Sequence, residues 1–342
     1  MVIGGEFAIS IDRINNVQKS RERTNKYYCY SSGRSALYHI LLYLKEHKKI
    51  TRILLPDYLC SSIVDTVIQI GLSFKFIPLT KELVFDINDL KKNISSNDTI
   101  LIINYFGLQN INSQIEAIRT ISKECPIIED DVQAFYCFWE DTDNSKANYR
   151  FTSLRKTFAV PDGGLVQSKD FLHIALEENT FSSYKIAGGI LKTLSPLTVD
   201  IENASLELLS KGESLIQENI KNAMSLNSKN LFETENISFS KIRRKENADV
   251  IQKGIKELGL RTILPIKEKH VPLFVPIYVN NRNHIRKTLA QNKIFCPVHW
   301  PLDNLPLQMG KEMEEHELSI VIDQRYGTNE MKKILNIIAD LI

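Results

Sequence analysis

RILLPDYLCSSIVDTVIQIGLSFKFIPL, residues 52–79, is the stretch from which the fold is read. RILLP (52–56) is a short apolar run closed by proline, the pattern of a strand buried on both faces. SSIVDTVIQIGL (61–72) sets Ile63, Val64, Val67 and Ile68 on one helical face and stops at Gly71, a helix C-cap signal. FKFIPL (74–79) then reads as a second strand. Outward from this unit the alternation continues, with TILIINYF (99–106) as a strand, INSQIEAIRTISKE (111–124) as a helix and CPIIED (125–130) as a strand. Strands separated by helix-length segments predict α/β architecture, a mostly parallel sheet with helices on both faces.

Beyond residue 169 the pattern turns largely helical, as in ENASLELLSKGESLIQENIKNAM (202–224). A last block contains a strand (PLFVPIYV, 272–279), a helix (NRNHIRKTLAQN, 281–292), a proline-marked segment (CPVHWPLDNLP, 296–306) and a terminal helix (328–342). It predicts a small α+β domain. We expect a large α/β domain over 1–237, whose N-terminal segment packs with the small domain, and a small domain over 238–342.

Composition narrows the function. The 342 residues are 43% hydrophobic and 25% charged, ample for a sizeable core. Lys+Arg 43 against Asp+Glu 41 leaves a net charge of +2, which gives no electrostatic case for nucleic acid or a membrane surface. KIRRK (241–245) reads as a solvated helix face. The five cysteines are scattered without a C-x-x-C pair, which fits a reducing compartment and no metal site. With no signal-peptide pattern and no long apolar run, we expect a cytoplasmic protein. There are 14 glycines, about 4% against a usual ~7%, so each is expected where backbone geometry demands it.

Several α/β chemistries are excluded. GIKELGLR (254–261) has the glycine spacing of a P-loop without its Lys-Ser/Thr, and neither G-x-G-x-x-G nor G-x-S-x-G follows a strand. Three features remain. SSGRSALYHILLYLKEH (31–47) opens a helix at Gly33, with Leu37, Ile40, Leu41 and Leu44 as its apolar face; its free N–H groups and dipole form a phosphate site or an ordinary cap. IIEDDVQAF (127–135) ends an apolar strand in three acids, where a carboxylate could bind metal, act as a base, hold a protonated ring nitrogen, or simply be solvated. FTSLRKTFAVPDGGLVQS (151–168) places Lys156 in an apolar setting before a turn, where lost solvation would favour attack on an aldehyde. A phosphate cradle, an acid and a lysine, in that order, are what pyridoxal phosphate requires of a protein.

On these residues the chain resembles the DegT/DnrJ/StrS aminotransferases, the sugar aminotransferase branch of fold-type I pyridoxal-phosphate enzymes. The likeness lies in SSGRSAL (31–37), EDDVQA (129–134) and Lys156 followed by Asp162, Gly163 and Gly164, with further similarity in LLPDYLCSS (54–62), NYFG (104–107), HWP (299–301) and IDQRYG (322–327). The resemblance implies a seven-stranded-type sheet flanked by helices in the large domain. It implies that Lys156 condenses with the cofactor aldehyde and moves the substrate proton, that Asp130 pairs with the pyridine nitrogen, and that Gln133 lies beside the ring. It also implies that Gly33, Arg34, Ser35 and Ser153 hold the phosphate, with Glu129 and Asp131 either supporting the site from behind or solvated.

Four departures stand out. Arg34 replaces the usual Thr or Ser, and Cys60 stands where a ring-stacking aromatic is common, leaving Tyr58 as the candidate. The turn reads Pro-Asp-Gly-Gly. The Gly-Tyr-Asn-x-Arg segment that reaches the neighbouring subunit is absent, FSSYKIAGGI (181–190) standing in its place with Tyr184 and Lys185 as substitutes. Tyr105 is a further candidate for lining the cleft; His299 and Trp300, in a proline-flanked strand, and likewise Arg325 and Tyr326, are read as packing or substrate-wall residues. The implied activity is transfer of an amino group, from glutamate, to a keto-sugar on a nucleotide, by a homodimer, for polysaccharide or secondary-metabolite synthesis. The alternatives are a sugar dehydratase with the same cofactor, against which Lys156 argues, and a non-catalytic or regulatory member.

Overall fold

A computed structural model describes residues 2–15, 23–140, 144–175, 177–195, 197–301 and 308–342. Its strands are β1 (Ile3–Gly4), β2 (Tyr28–Tyr30), β3 (Arg52–Pro56), β4 (Ser73–Ile77), β5 (Asp98–Ile103), β6 (Ile127–Asp130), β7 (Tyr149–Ser153), β8 (Gly164–Ser168), β9 (Arg261–Thr262), β10 (Phe274–Tyr278), β11 (Ile294–Phe295) and β12 (Glu317–Val321). Seven form one sheet in the order β2-β8-β7-β6-β5-β3-β4. The run from β4 to β7 is parallel, and β8 lies antiparallel between β7 and β2.

Alternation along the strands explains why both faces are covered. Ile53 and Leu55 of β3 join Leu101, Ile103 and Phe151 in a core under helices Gly33–His47 and Ser61–Ile70. Leu54 points the other way, with Ile100, Ile102 and Ile127, against helix Ile111–Ile121. Strands buried on both sides therefore read as unbroken apolar runs. On the Ser61–Ile70 helix the inward face is Ile63, Val64, Thr66, Val67 and Ile70. Ile68, expected inside, is 60% exposed, because the inward stripe runs through residues 63, 64, 67 and 70 and leaves position 68 at its edge, turned to solvent. Gly71 adopts the left-handed conformation (φ 71°) expected of its cap.

A second core holds β10 and β12 with helices Ile237–Glu257, Arg282–Gln291 and Thr328–Ala339. Ile3 joins it, since β1 pairs with β11 in parallel register.

Three expectations change here. The helix sought over 202–224 is Val199–Ser214; beyond it i→i+3 turns take over and carry Ile216 and Ile220 into the interior. His299 and Trp300 lie in an irregular bend, not a strand; residues 302–306 of that segment lie outside the described residues. In the KIRRK run Arg244 is buried, donating to the Leu273 carbonyl at 3.0 Å and to Gln324 Oε1 at 2.9 Å, so this stretch is not wholly a solvated face. Among the described residues no helix is long and apolar enough to cross a membrane.

Candidate active site

After β3 the chain returns to one side as β4, whereas β5 lies on the other side of β3. The loops leaving β3 and β5 diverge there, opening a crevice at the carboxyl ends of the strands. Asp130 is the last residue of β6, one strand further on. Ser153 ends β7, and a single turn, Leu154–Lys156, lifts the lysine over the sheet edge. The return into β8 demands two glycines. Gly163 has φ 117°, and a Cβ on Gly164 would sit 2.1 Å from the carbonyl oxygen of Ser32. This close approach holds the lysine turn against the start of helix Gly33–His47, with Gly163 N–H donating to Ser31 O at 2.9 Å.

A cavity of about 130 Å³ lies where these parts meet. Gly33, Arg34, Asp130, Gln133, Ser153 and Lys156 all border it. Asp130 is buried and accepts the Val132 N–H at 2.8 Å. Burial pushes its carboxyl up to about 7, with the Val132 N–H and the Lys156 cation pulling against the rise. Burial, and then Arg155, lowers the Lys156 ammonium below the ordinary lysine range. Lys156 is surrounded by protein yet retains exposed surface, because it borders this cavity on one side and a second on the other. Gln133 Oε1 accepts the Phe106 N–H at 3.0 Å, whereas its Nε2 is buried without a partner and belongs to a side chain lining the cavity.

Behind Asp130 the two flanking acids are buried, and neither forms a solvated turn. Arg150 sits between them, 2.9 Å from Glu129 and 2.8 Å from Asp131, and Asn104 donates to Asp131 at 3.0 Å. Burial and Glu129 push Asp131 upward while Arg150 opposes them. Arg150 was missed in the sequence; its signal is a charged residue in an otherwise inward-facing strand, YRFTS. Asp162, from the altered turn, is also buried. It accepts from Ser225 N–H (2.9 Å), Ser225 Oγ (3.0 Å) and the Asn179 amide, pinning the turn below Lys156.

Six predicted residues lie away from the cavity wall. The Ser35 N–H is engaged by the N-cap oxygen of Ser32 at 3.1 Å, and its hydroxyl donates to Asn222 O. Tyr58 is fully buried, stacked on Tyr105 at 5.2 Å, and donates to the His299 carbonyl; Tyr105 in turn donates to the Tyr58 carbonyl. Cys60 and Trp300 reach the cavity instead, with Tyr58 packed behind the Trp300 ring. Tyr184 is 37% exposed on helix Phe181–Leu194. Lys185 is buried in ion pairs with Glu6 (3.1 Å) and Glu213 (3.0 Å). His299 is buried, with Nδ1 2.9 Å from Ser319 Oγ, and Ser319 donates to Glu317. Burial, and then Lys156, lowers its imidazole to about 3, so it is neutral.

The second cavity, about 780 Å³, shares Arg155 and Lys156 with the first. Arg244, Arg286, Lys287 and Arg325 add positive charge, against Glu6 and Asp323; Asp323 is paired with Arg325 at 2.8 Å. Arg325 also stacks on Phe7 and binds the Gly5 and Glu6 carbonyls, so it fixes the N-terminal strand over this cavity. Among the described residues no group of three or more His, Cys, Asp or Glu side chains is placed to hold a metal ion.

No family model and no curated protein sequence matches the chain. Solved structures do. The sugar aminotransferase CalS13 from Micromonospora echinospora superposes with a TM-score of 0.69 at 12% identity, over 99% of this chain and 100% of that one. Helicobacter pylori PseC, an aminotransferase involved in the biosynthesis of pseudoaminic acid, gives 0.69 at 14% identity over 99% of each chain. The Streptococcus pneumoniae protein Spr1654 in its PLP-form gives 0.65 at 14%, over 99% and 93%. The chain therefore has the fold-type I architecture of these proteins from end to end.

Proposed function

We propose that the chain is a pyridoxal-phosphate-dependent aminotransferase that moves an amino group, with glutamate as donor, to a keto-sugar carried on a nucleotide. The observation that carries this reading is that Lys156 and Asp130 border one cavity at the sheet's carboxyl edge, beside the open start of a helix. Support also comes from the fold, and from a relative by architecture that is described in a PLP-form. We take the protein to be a cytoplasmic homodimer of a large domain over 1–237 and a small one over 238–342.

The residues present fit the cofactor. Gln133 Nε2 is a buried donor without a partner, and Asp130 is a buried carboxyl in want of a cation. The helix start leaves its first N–H groups without intrahelical acceptors. The Gly33 and Arg34 N–H groups, the Arg34 guanidinium and the Ser153 hydroxyl would hold the phosphate. Asp130 would pair with the ring nitrogen and Gln133 would donate to the ring. When bound, pyridoxal phosphate supplies an electron sink for the charge left on the donor's α-carbon.

The chain's own residues do the rest. Lys156 Nζ, less basic than usual because surrounding protein and Arg155 disfavour its charge, would take the proton from the donor's α-carbon and deliver it to the carbon on the far side of the transferred nitrogen. Asp130, raised by burial to about 7, would ionise against a protonated ring nitrogen, and Arg150 offsets the charge of Glu129 and Asp131 behind it. Trp300, backed by Tyr58 and Tyr105, shields one wall from water. The larger, cation-rich cavity takes the acceptor, whose phosphates would meet Arg286 and Lys287.

The test is a half-reaction. Purified protein with added cofactor should gain a visible absorbance band that glutamate bleaches and a keto-acid restores, and Lys156→Ala should show neither change. A protein that stays colourless with excess cofactor would overturn the reading. A band that no amino donor bleaches would leave a binding protein in its place.

A further inference from the structure

The phosphate end of the smaller cavity also contains a carboxylate. Glu213, at the end of helix Val199–Ser214, borders the cavity together with Arg34 and Arg155. Its Oε1 lies 3.0 Å from Arg155 Nη2 and 3.9 Å from Arg34 Nη2. Its Oε2 lies 3.0 Å from Lys185 Nζ. Burial opposes the charge, yet Arg155, Lys185 and Arg34 outweigh it and hold the carboxyl down at about 2. The group is thus a fixed anion at neutral pH, in a place where a second anion would meet repulsion.

The three cations are not equivalent. Lys185 is buried, bound a second time by Glu6 at 3.1 Å, and its stem packs on Gly212, where a Cβ would lie 2.9 Å from Lys185 Cγ. Lys185 is therefore held in place. Arg34 and Arg155 keep partial exposure toward the cavity, and the Arg155 Nε is buried without a partner, so that guanidinium has donor capacity that Glu213 does not fill. The two carboxylate oxygens divide accordingly, one toward the arginines and one toward the lysine. A guanidinium binds phosphate with paired donors, which a single carboxylate oxygen at 3.9 Å cannot match.

Resting on the cofactor reading above, we propose that Glu213 competes with the cofactor's phosphate for Arg34 and Arg155. The phosphate takes both guanidinium groups, and Glu213 retains Lys185. Arg155 is then a phosphate-binding residue, and the end of helix Val199–Ser214 supplies an internal competitor. Net charge decides the sense of the effect: removing the carboxylate leaves Arg34 and Arg155 free for the incoming anion.

Two ligands are titrated into the cofactor-free protein, inorganic phosphate by calorimetry and pyridoxal phosphate by absorbance, for wild type, Glu213→Gln, Arg155→Gln and the double variant. Thermal melts confirm that each is folded. We expect Glu213→Gln to bind both ligands roughly tenfold more tightly and Arg155→Gln roughly tenfold more weakly. The gain from Glu213→Gln should shrink in the Arg155→Gln background. Unchanged or weaker binding by folded Glu213→Gln would overturn the proposal, since Glu213 would then only order the arginines, and so would phosphate binding by none of the proteins. A wild type that binds phosphate competitively with Glu213 but gains no band with pyridoxal phosphate would count against the cofactor reading and not against the competition.

Discussion

The two cavities that meet at Lys156 are built from different materials. The smaller is walled by strand ends and a helix start, and apart from Arg34, Arg155, Lys156 and Glu213 at one end its polar groups are fixed by short backbone contacts: Val132 N–H to Asp130, Phe106 N–H to Gln133, Ser31 O to Gly163. The larger is walled by long side chains from distant parts of the chain, among them Arg244, Arg286, Lys287 and Arg325, with the N-terminal strand laid across. Backbone-anchored groups lose little freedom when a ligand arrives, whereas arginine and lysine stems must be ordered. The first arrangement suits a resident cofactor whose atoms must be held in one geometry. The second suits a substrate that comes and goes.

Substitutions that touch one cavity and spare the other sharpen this contrast. The largest effect is expected at Asp130: Asp130→Asn should lower kcat by about 10²–10³-fold while leaving the acceptor KM within about twofold, as steady-state kinetics would show. If KM rose and kcat did not, the division between the cavities would be wrong. Next is Asp162, the anchor beneath the lysine turn. Asp162→Ala leaves the Ser225 and Asn179 donors buried without an acceptor and should lower stability by about 2–3 kcal/mol, read from chemical denaturation.

In the larger cavity, Arg286→Ala with Lys287→Ala should raise the KM for a phosphate-bearing acceptor roughly tenfold, with pyridoxal phosphate affinity unchanged. The smallest effect is a pH dependence of the cofactor-free protein. The Asp130 carboxyl is raised by burial to about 7, so the folded chain holds a proton that the unfolded chain releases near pH 4. Its contribution is full below that pH and is lost as pH rises through 7. Between pH 6 and pH 8 the wild type should lose about 1.4 kcal/mol more stability than Asp130→Asn, measured by urea melts. Equal losses would mean that Asp130 is not the proton holder.

The smaller cavity was the more legible in the sequence, and the reason is physical. Strand-end and helix-start residues announce themselves through local periodicity, so Gly33, Asp130 and Lys156 stand beside apolar runs that fix their place. Gly163 and Gly164 mark the turn after the lysine locally, although the close approach of Gly164 to Ser32 is a long-range contact. Arg155, Glu213 and Lys185 form their cluster across 58 and 28 residues of chain, and no local pattern encodes that meeting. The stacking candidate failed similarly. Tyr58 lies in the right loop, but its ring turns inward onto Tyr105, leaving Trp300, 242 positions further along, to reach the cavity. The glycine pair Gly188–Gly189, in the segment that stands where the family's partner-reaching stretch is absent, is a packing device. Gly188 lets helix Phe181–Leu194 press on Ser205 and Leu209, and Gly189 receives Ile9.

The central claim, that Lys156 is the residue that takes the cofactor, has one direct measurement. The protein is incubated with pyridoxal phosphate, reduced with borohydride, digested and mapped by mass spectrometry. The account predicts near-stoichiometric labelling of the peptide that contains Lys156, and none there in Lys156→Ala. Label scattered over exposed lysines, with the Lys156 peptide unmodified, would contradict it.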